Sequence, residues 1–116
     1  MVAVIFEVIP KEEGKAEYLA IAANLREHLA DIQGFISIER FQSLTDPDKL
    51  LSLSFWKDEE SVSEWRNLEE HRIAQSKGRA SLFRDYRIRV GSIMRDYSMA
   101  DREQVPKDSN AAHPIR

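Results

Sequence analysis

Two rhythms of apolar residues alternate along this chain, one with a period of two and one with the period of a helix. From Val2 to Ile9 the residues are mostly β-branched, with Val2, Val4, Phe6 and Val8 on one face and Ala3, Ile5, Glu7 and Ile9 on the other. Both faces are apolar except at Glu7, which predicts a strand covered on both sides and ended by Pro10. From Glu12 to about Asp31 the spacing becomes helical: Tyr18, Ala22, Leu25, Leu29 and Ile32 form one stripe, with Gly34 as the stop. Phe35 to Ser43 and Lys49 to Lys57 read as a hairpin whose turn is L-T-D-P-D. In its second arm Leu51, Leu53 and Phe55 share one face, and Leu50, Ser52, Ser54 and Trp56 the other.

Asp58 is placed to cap a helix carrying Val62 and Trp65. The run N-L-E-E from Asn67 resembles a capping box, so a break is expected there, with a second helical piece running to about Arg84. On that piece His71, Ala74, Gln75, Gly78 and Leu82 fall on one face. Small and polar side chains there fill space poorly, which implies a partly empty pocket above a sheet; Gly78 is equally compatible with a close helix-to-sheet approach. Tyr86 to Tyr97 is the last expected strand, with Ile88, Val90, Ser92 and Met94 opposite Arg87, Arg89, Gly91 and Ile93.

The order β-α-β-β-α-β is that of the ferredoxin-like α+β fold, an antiparallel four-stranded sheet with helices on one face. One helical layer cannot cover both sides of the sheet. A second copy closing the open side, sheet to sheet, is therefore expected, giving a homodimer. Residues 1–97 form the domain and 98–116 an arm or disordered tail, in which His113 is expected to be inert.

Composition narrows the chemistry. The 116 residues are enough for one core, and a net charge of -3 gives no basic surface for nucleic acid. The absence of cysteine excludes disulfides, thiolate nucleophiles and Cys-ligated metal centres, and no metal site is expected. The start M-V-A-V-I-F-E-V-I has no basic leader and meets Glu7 too early for a signal or membrane segment, so a cytoplasmic location is expected.

Glu7 is a candidate for chemistry, because a carboxylate within an apolar strand is costly to bury unless paired or protonated. A strand residue reaching solvent or an arginine is the plainer reading. Trp56 and Trp65 are core, interface or pocket aromatics, and His71 is either a base or an ordinary histidine. His28, at the edge of the first helical stripe, reads as structural.

The segments F-W-K-D-E-E-S, V-S-E-W and E-H-R-I-A, between Phe55 and Ala74, together resemble the antibiotic biosynthesis monooxygenase family of dimeric α+β barrel proteins. The likeness extends over roughly Val2 to Tyr97 in element order. It implies a homodimer and, for many members, cofactor-independent oxygenation of phenolic or quinol-like molecules. In the haem-degrading branch a strand asparagine, a helix tryptophan and a histidine ten residues beyond it form the site; those positions fall here on Glu7, Trp65 and Gln75. Only the tryptophan matches, and glutamine is a poor iron ligand, so haem turnover is not expected.

The expected function is thus a monooxygenase with no cofactor, acting on a small aromatic molecule. Trp65 and Trp56 would wall the pocket, His71 or Glu7 would be the base, and Gln75 or Arg87 the polar anchor. A homodimer of the same fold that binds a small hydrophobic molecule without catalysis, or serves only structure, is the alternative.

Overall fold

The computed structural model describes residues 1–75 and 82–112, with side chains described for 1–70 and 82–109. Strand β1 (Val2–Pro10) leads through a single 3-10 turn (Glu12–Gly14) into helix α1 (Lys15–Leu29). The hairpin β2 (Phe35–Gln42) and β3 (Leu50–Trp56) follows, then α2 (Glu59–Gln75), β4 (Phe83–Ser92) and a short α3 (Lys107–Ala112). The four strands form one antiparallel sheet in the order β2-β3-β1-β4. This is the ferredoxin-like α+β fold expected from the pattern.

Side chains of directly paired residues point to the same face, so the register divides the sheet into rows. On the helix side run Ile38–Ser54–Val4–Val90, Arg40–Ser52–Phe6–Ile88 and Gln42–Leu50–Val8–Tyr86. On the other side run Glu39–Leu53–Ile5–Arg89 and Phe41–Leu51–Glu7–Arg87. A register shift between Phe35 and Ser37 inserts Ile36 as a bulge, which places Phe35 on the same face as Ile38 and Arg40.

Two buried clusters make up the core. One joins Val4, Leu25, Leu29, Ile32, Trp56, Val62 and Trp65; the other joins Phe6, Val8, Tyr18, Leu50, Leu82 and Phe83. The second is an aromatic group packed edge-on, with Tyr18 and Phe83 ring centres 5.2 Å apart and Phe6 6.1 Å from Phe83. Ile21 touches both clusters from α1.

The turn from α1 into β2 fixes where α2 begins. Gly34 has φ +93°, and a Cβ there would collide with Ser61 Oγ, so only glycine suits both the backbone and the close approach. Asp58 Oδ1 accepts from the Ser61 amide at 2.9 Å, the expected cap, and Ser61 Oγ lies 2.7 Å from the Gln33 carbonyl. The Ser61 amide, together with Ser61 Oγ 2.8 Å from Asp58 Oδ1, holds the Asp58 carboxyl below its ordinary pKa.

Two expectations are corrected. Helix α2 does not break at Asn67 but continues through it. Leu68 packs against the core one turn beyond Trp65, so burial of a continuous Val62–Trp65–Leu68 stripe outweighs a local capping signal. The last strand begins at Phe83 and ends at Ser92 instead of spanning Tyr86 to Tyr97. Phe83 is drawn into the aromatic cluster, and Ser92 is the partner of Val2, so pairing stops opposite the first residue of β1.

Beyond β4 the described residues run to the short α3. The Ile93 amide donates to the Met1 carbonyl at 3.0 Å, the Asp96 amide to Gln104 Oε1 at 2.8 Å, and the Arg102 guanidinium lies over the Tyr97 ring. Expectations for His113 and Gly78 lie outside the described residues.

Candidate functional site

The two core clusters do not merge, and a cleft lies along the seam between them. Its floor is the row Arg40–Ser52–Phe6, one wall is α1 through Tyr18, Ile21, Leu25 and Leu29, and the other is α2 through Trp65 and Glu69. The seam is open because of what stands there. Ser52 and Ala22 are small, and Arg40 is a long cation where a leucine would have filled the gap. The free space is about 30 Å³, room for about two waters. A larger molecule must part the walls.

Polar groups converge at one end. The Arg40 guanidinium carbon stands 5.9 Å from the centre of the Tyr18 ring, and Arg26 and Glu69 line the mouth. Arg40 Nε is buried, with no hydrogen-bond partner among the described residues. Burial pushes the Tyr18 phenol above its ordinary pKa; the Arg40 charge works against that rise and the Glu69 charge adds to it. Tyr18 is therefore a hydrogen-bonding phenol at neutral pH and not a base.

The sequence-predicted site residues separate. Trp65, 9% exposed, lines the cleft. Trp56 does not line it: the side chain is wholly buried one layer behind, stacked on Trp65 at 6.1 Å and edge-on to Phe35 at 5.3 Å. Its Nε1 donates to Ser54 Oγ at 2.8 Å, so no polar group of this indole is left for a ligand. His71 and Gln75 lie on the last turns of α2, and their side chains are outside the described residues.

Glu7 and Arg87 stand on the opposite face of the sheet, away from the cleft. Glu7 Oε2 accepts from Arg89 Nη1 at 3.1 Å and lies 3.8 Å from Lys49 Nζ, the pairing that the plainer reading anticipated. The Arg89 hydrogen bond, with the charges of Lys49, Arg89 and Arg87, holds this carboxyl below its ordinary pKa. Two shallow grooves of about 290 and 220 Å³ flank Glu7 and Lys49. Their charges are largely occupied with one another, whereas in the cleft the buried Arg40 Nε has no acceptor among the described residues.

Arg40, Tyr18 and Ser52 were not singled out by sequence reasoning as site residues. The available signal was the pair Ser52 and Ser54 on the inner face of β3, too small to fill a core beneath two helices. Among the described residues no group of three or more His, Cys, Asp or Glu side chains could hold a metal ion, and no helix is long and apolar enough to cross a membrane.

Comparison with known proteins fits this geometry. The model of the antibiotic biosynthesis monooxygenase family matches residues 1–77, which carry β1 through α2 and most of the cleft. The chain belongs to that family. A relative from Pyricularia oryzae, jasmonate monooxygenase ABM, is 48% identical over 93 residues, covering 80% of this chain but 43% of its own length. The uncharacterised protein YqjZ of Bacillus subtilis is 31% identical over 94 residues, covering 80% of this chain and 79% of its own. Among solved structures, Rv0793 from Mycobacterium tuberculosis superposes with a TM-score of 0.70 at 18% identity, over 84% of this chain and 98% of that one. SnoaB from Streptomyces nogalater, described as a cofactor-independent oxygenase, gives 0.66 at 10% identity over 82% and 94%; at such identity the likeness concerns the fold.

Proposed function

We propose that the chain acts as a homodimeric monooxygenase on a small, largely apolar molecule held in the cleft between α1, α2 and the sheet. The observation that carries this reading is the Trp65-walled seam where the two core clusters part, in a member of a family of monooxygenases. Trp65 is the flat apolar wall, braced by Trp56 stacked behind it. Tyr18 and Arg40 form the polar end, where a phenol and a cation offset negative charge that develops on the substrate. His71 is the proposed base and Gln75 a proposed anchor. Glu7 and Arg87 are not assigned these roles, since a sheet's thickness separates them from Trp65.

Dimerisation follows from the uncovered face. Ile5, Leu51, Leu53 and Phe55 are half-buried there, on the face away from α1 and α2. The row Glu39–Leu53–Ile5–Arg89 is acidic at the β2 edge and basic at the β4 edge. Two copies related by a twofold axis would set such edges against each other while covering the apolar centre.

In monooxygenation one oxygen atom enters the substrate and the other leaves as water, which takes two electrons and two protons. A quinol-like substrate supplies both electrons itself once a base has made its anion, so no resident cofactor is then required. A saturated carbon supplies none beyond its own C–H bond, and a two-electron donor such as a reduced nicotinamide must be present. Oxygen uptake and transfer of labelled oxygen should therefore be measured with a quinol alone, and with jasmonate in the presence and absence of reduced nicotinamide. Label in the product is the expected result, and His71→Ala should abolish it at unchanged dimer mass and melting temperature. The non-catalytic alternative is favoured by one feature: the described side chains of the cleft include no histidine, and its only carboxylates there are Glu39 and Glu69. Saturable binding of these molecules with no oxygen consumed would establish it.

A further inference from the structure

The inner face of β2 carries an arginine that packing alone does not require. Arg40 occupies a central row of the sheet, beside Ser52 and facing Tyr18, in a position where the neighbouring inner residue of the same strand is Ile38. A guanidinium has five donor hydrogens in a fixed planar fork. The face of the Tyr18 ring attracts its charge without accepting all of these hydrogens, and Nε is buried with no partner among the described residues. A buried donor of this kind is costly unless an acceptor arrives.

We infer that Arg40 receives the carboxylate of the ligand, so that the cleft selects small amphipathic monocarboxylic acids. This rests on the cleft being the binding site, as proposed above, and adds which chemical class it takes. The fork of an arginine matches a carboxylate through two parallel hydrogen bonds, and beside an apolar wall such a pair is little screened by water. Arg26 lines the same mouth from α1 and adds a second positive charge. Beyond Arg40 the cleft is lined by Phe6, Leu25, Leu29 and Trp65, which suits a hydrocarbon or ring body.

The test compares an acid with its neutral methyl ester of nearly the same shape. Calorimetric titration of the full chain with jasmonate and with methyl jasmonate should show the acid binding at least tenfold more tightly. Arg40→Met, which keeps length and removes charge, should bring the acid down to the affinity of the ester and leave the ester unchanged. Arg40→Lys, which keeps charge and loses the fork, should fall between. Equal affinity for acid and ester in the unaltered protein, absence of binding by either, or retained discrimination in a folded Arg40→Met protein would each overturn the assignment. The comparison on the unaltered protein decides the matter even where a variant does not fold. Acid-selective binding without oxygen uptake would sink the oxygenase reading and leave this one standing; oxygen uptake that treats acid and ester alike would do the reverse.

Discussion

The helix-covered face and the open face of the sheet share one alternation of residues, and each is crossed by polar groups, with opposite consequences. On the open face Glu7 meets Arg89 and Lys49, so the polar groups satisfy one another and leave a continuous apolar surface around them. On the covered face Arg40 lies over the Tyr18 ring and hydrogen-bonds its phenol, leaving Nε with no partner among the described residues, and the packing above it splits into two clusters. On the proposed reading, polar residues in a sheet make a docking surface where they pair internally and a binding cleft where they do not. The side carrying more charge is accordingly not the side proposed for chemistry.

The largest expected effect is on the covered face. Trp56→Ala removes the layer behind Trp65 and should destabilise the protein by about 3–5 kcal/mol in denaturant unfolding, because an indole-sized void cannot be refilled from the sheet. A loss below 1 kcal/mol would mean that the two clusters are not separate bodies leaning on that ring. Next comes the open face: Leu53→Glu puts a carboxylate at its apolar centre and should convert dimer to monomer by sedimentation, with the far-ultraviolet spectrum preserved. An unchanged dimer mass would remove the sheet-to-sheet association.

The smallest effect sharpens the contrast through pH. The Glu7 carboxyl is held below its unfolded value, so its pairing stabilises the protein above the ordinary carboxylate range and is lost as pH falls through the folded value. Glu7→Gln should flatten that part of the acid unfolding curve while leaving neutral-pH oxygen uptake unaltered. A collapse of activity in this variant would return Glu7 to the chemistry.

Much of this architecture was legible because its signals are local. The β-branched run at Val2–Ile9 and the stripe through Tyr18, Leu25 and Leu29 each state their period within a few turns of chain, and the element order implies the sheet order. What was not legible is non-local. The sequence around Asn67 cannot register that Leu68 will meet the core, and nothing near Tyr97 reveals that β1 runs out at Val2. Alternation grouped Glu7 with Ile5 and Arg87 with Arg89 correctly but could not say which face the helices would cover. Arg40 was hidden by the bulge at Ile36, since strict alternation from the half-buried Phe35 would turn that arginine to the other side.

The position of Ile21 carries one more consequence. Tyr18 belongs to the aromatic cluster and Leu25 to the tryptophan cluster, so α1 bridges two bodies like a beam resting on a fulcrum at Ile21. A small rocking of that beam widens one end of the gap as it narrows the other, without lifting the helix from either support. Admission of a guest much larger than water would then involve a tilt of a few degrees in one rigid rod, on the order of the microseconds to milliseconds at which packed helices shift, and not the local melting of the domain.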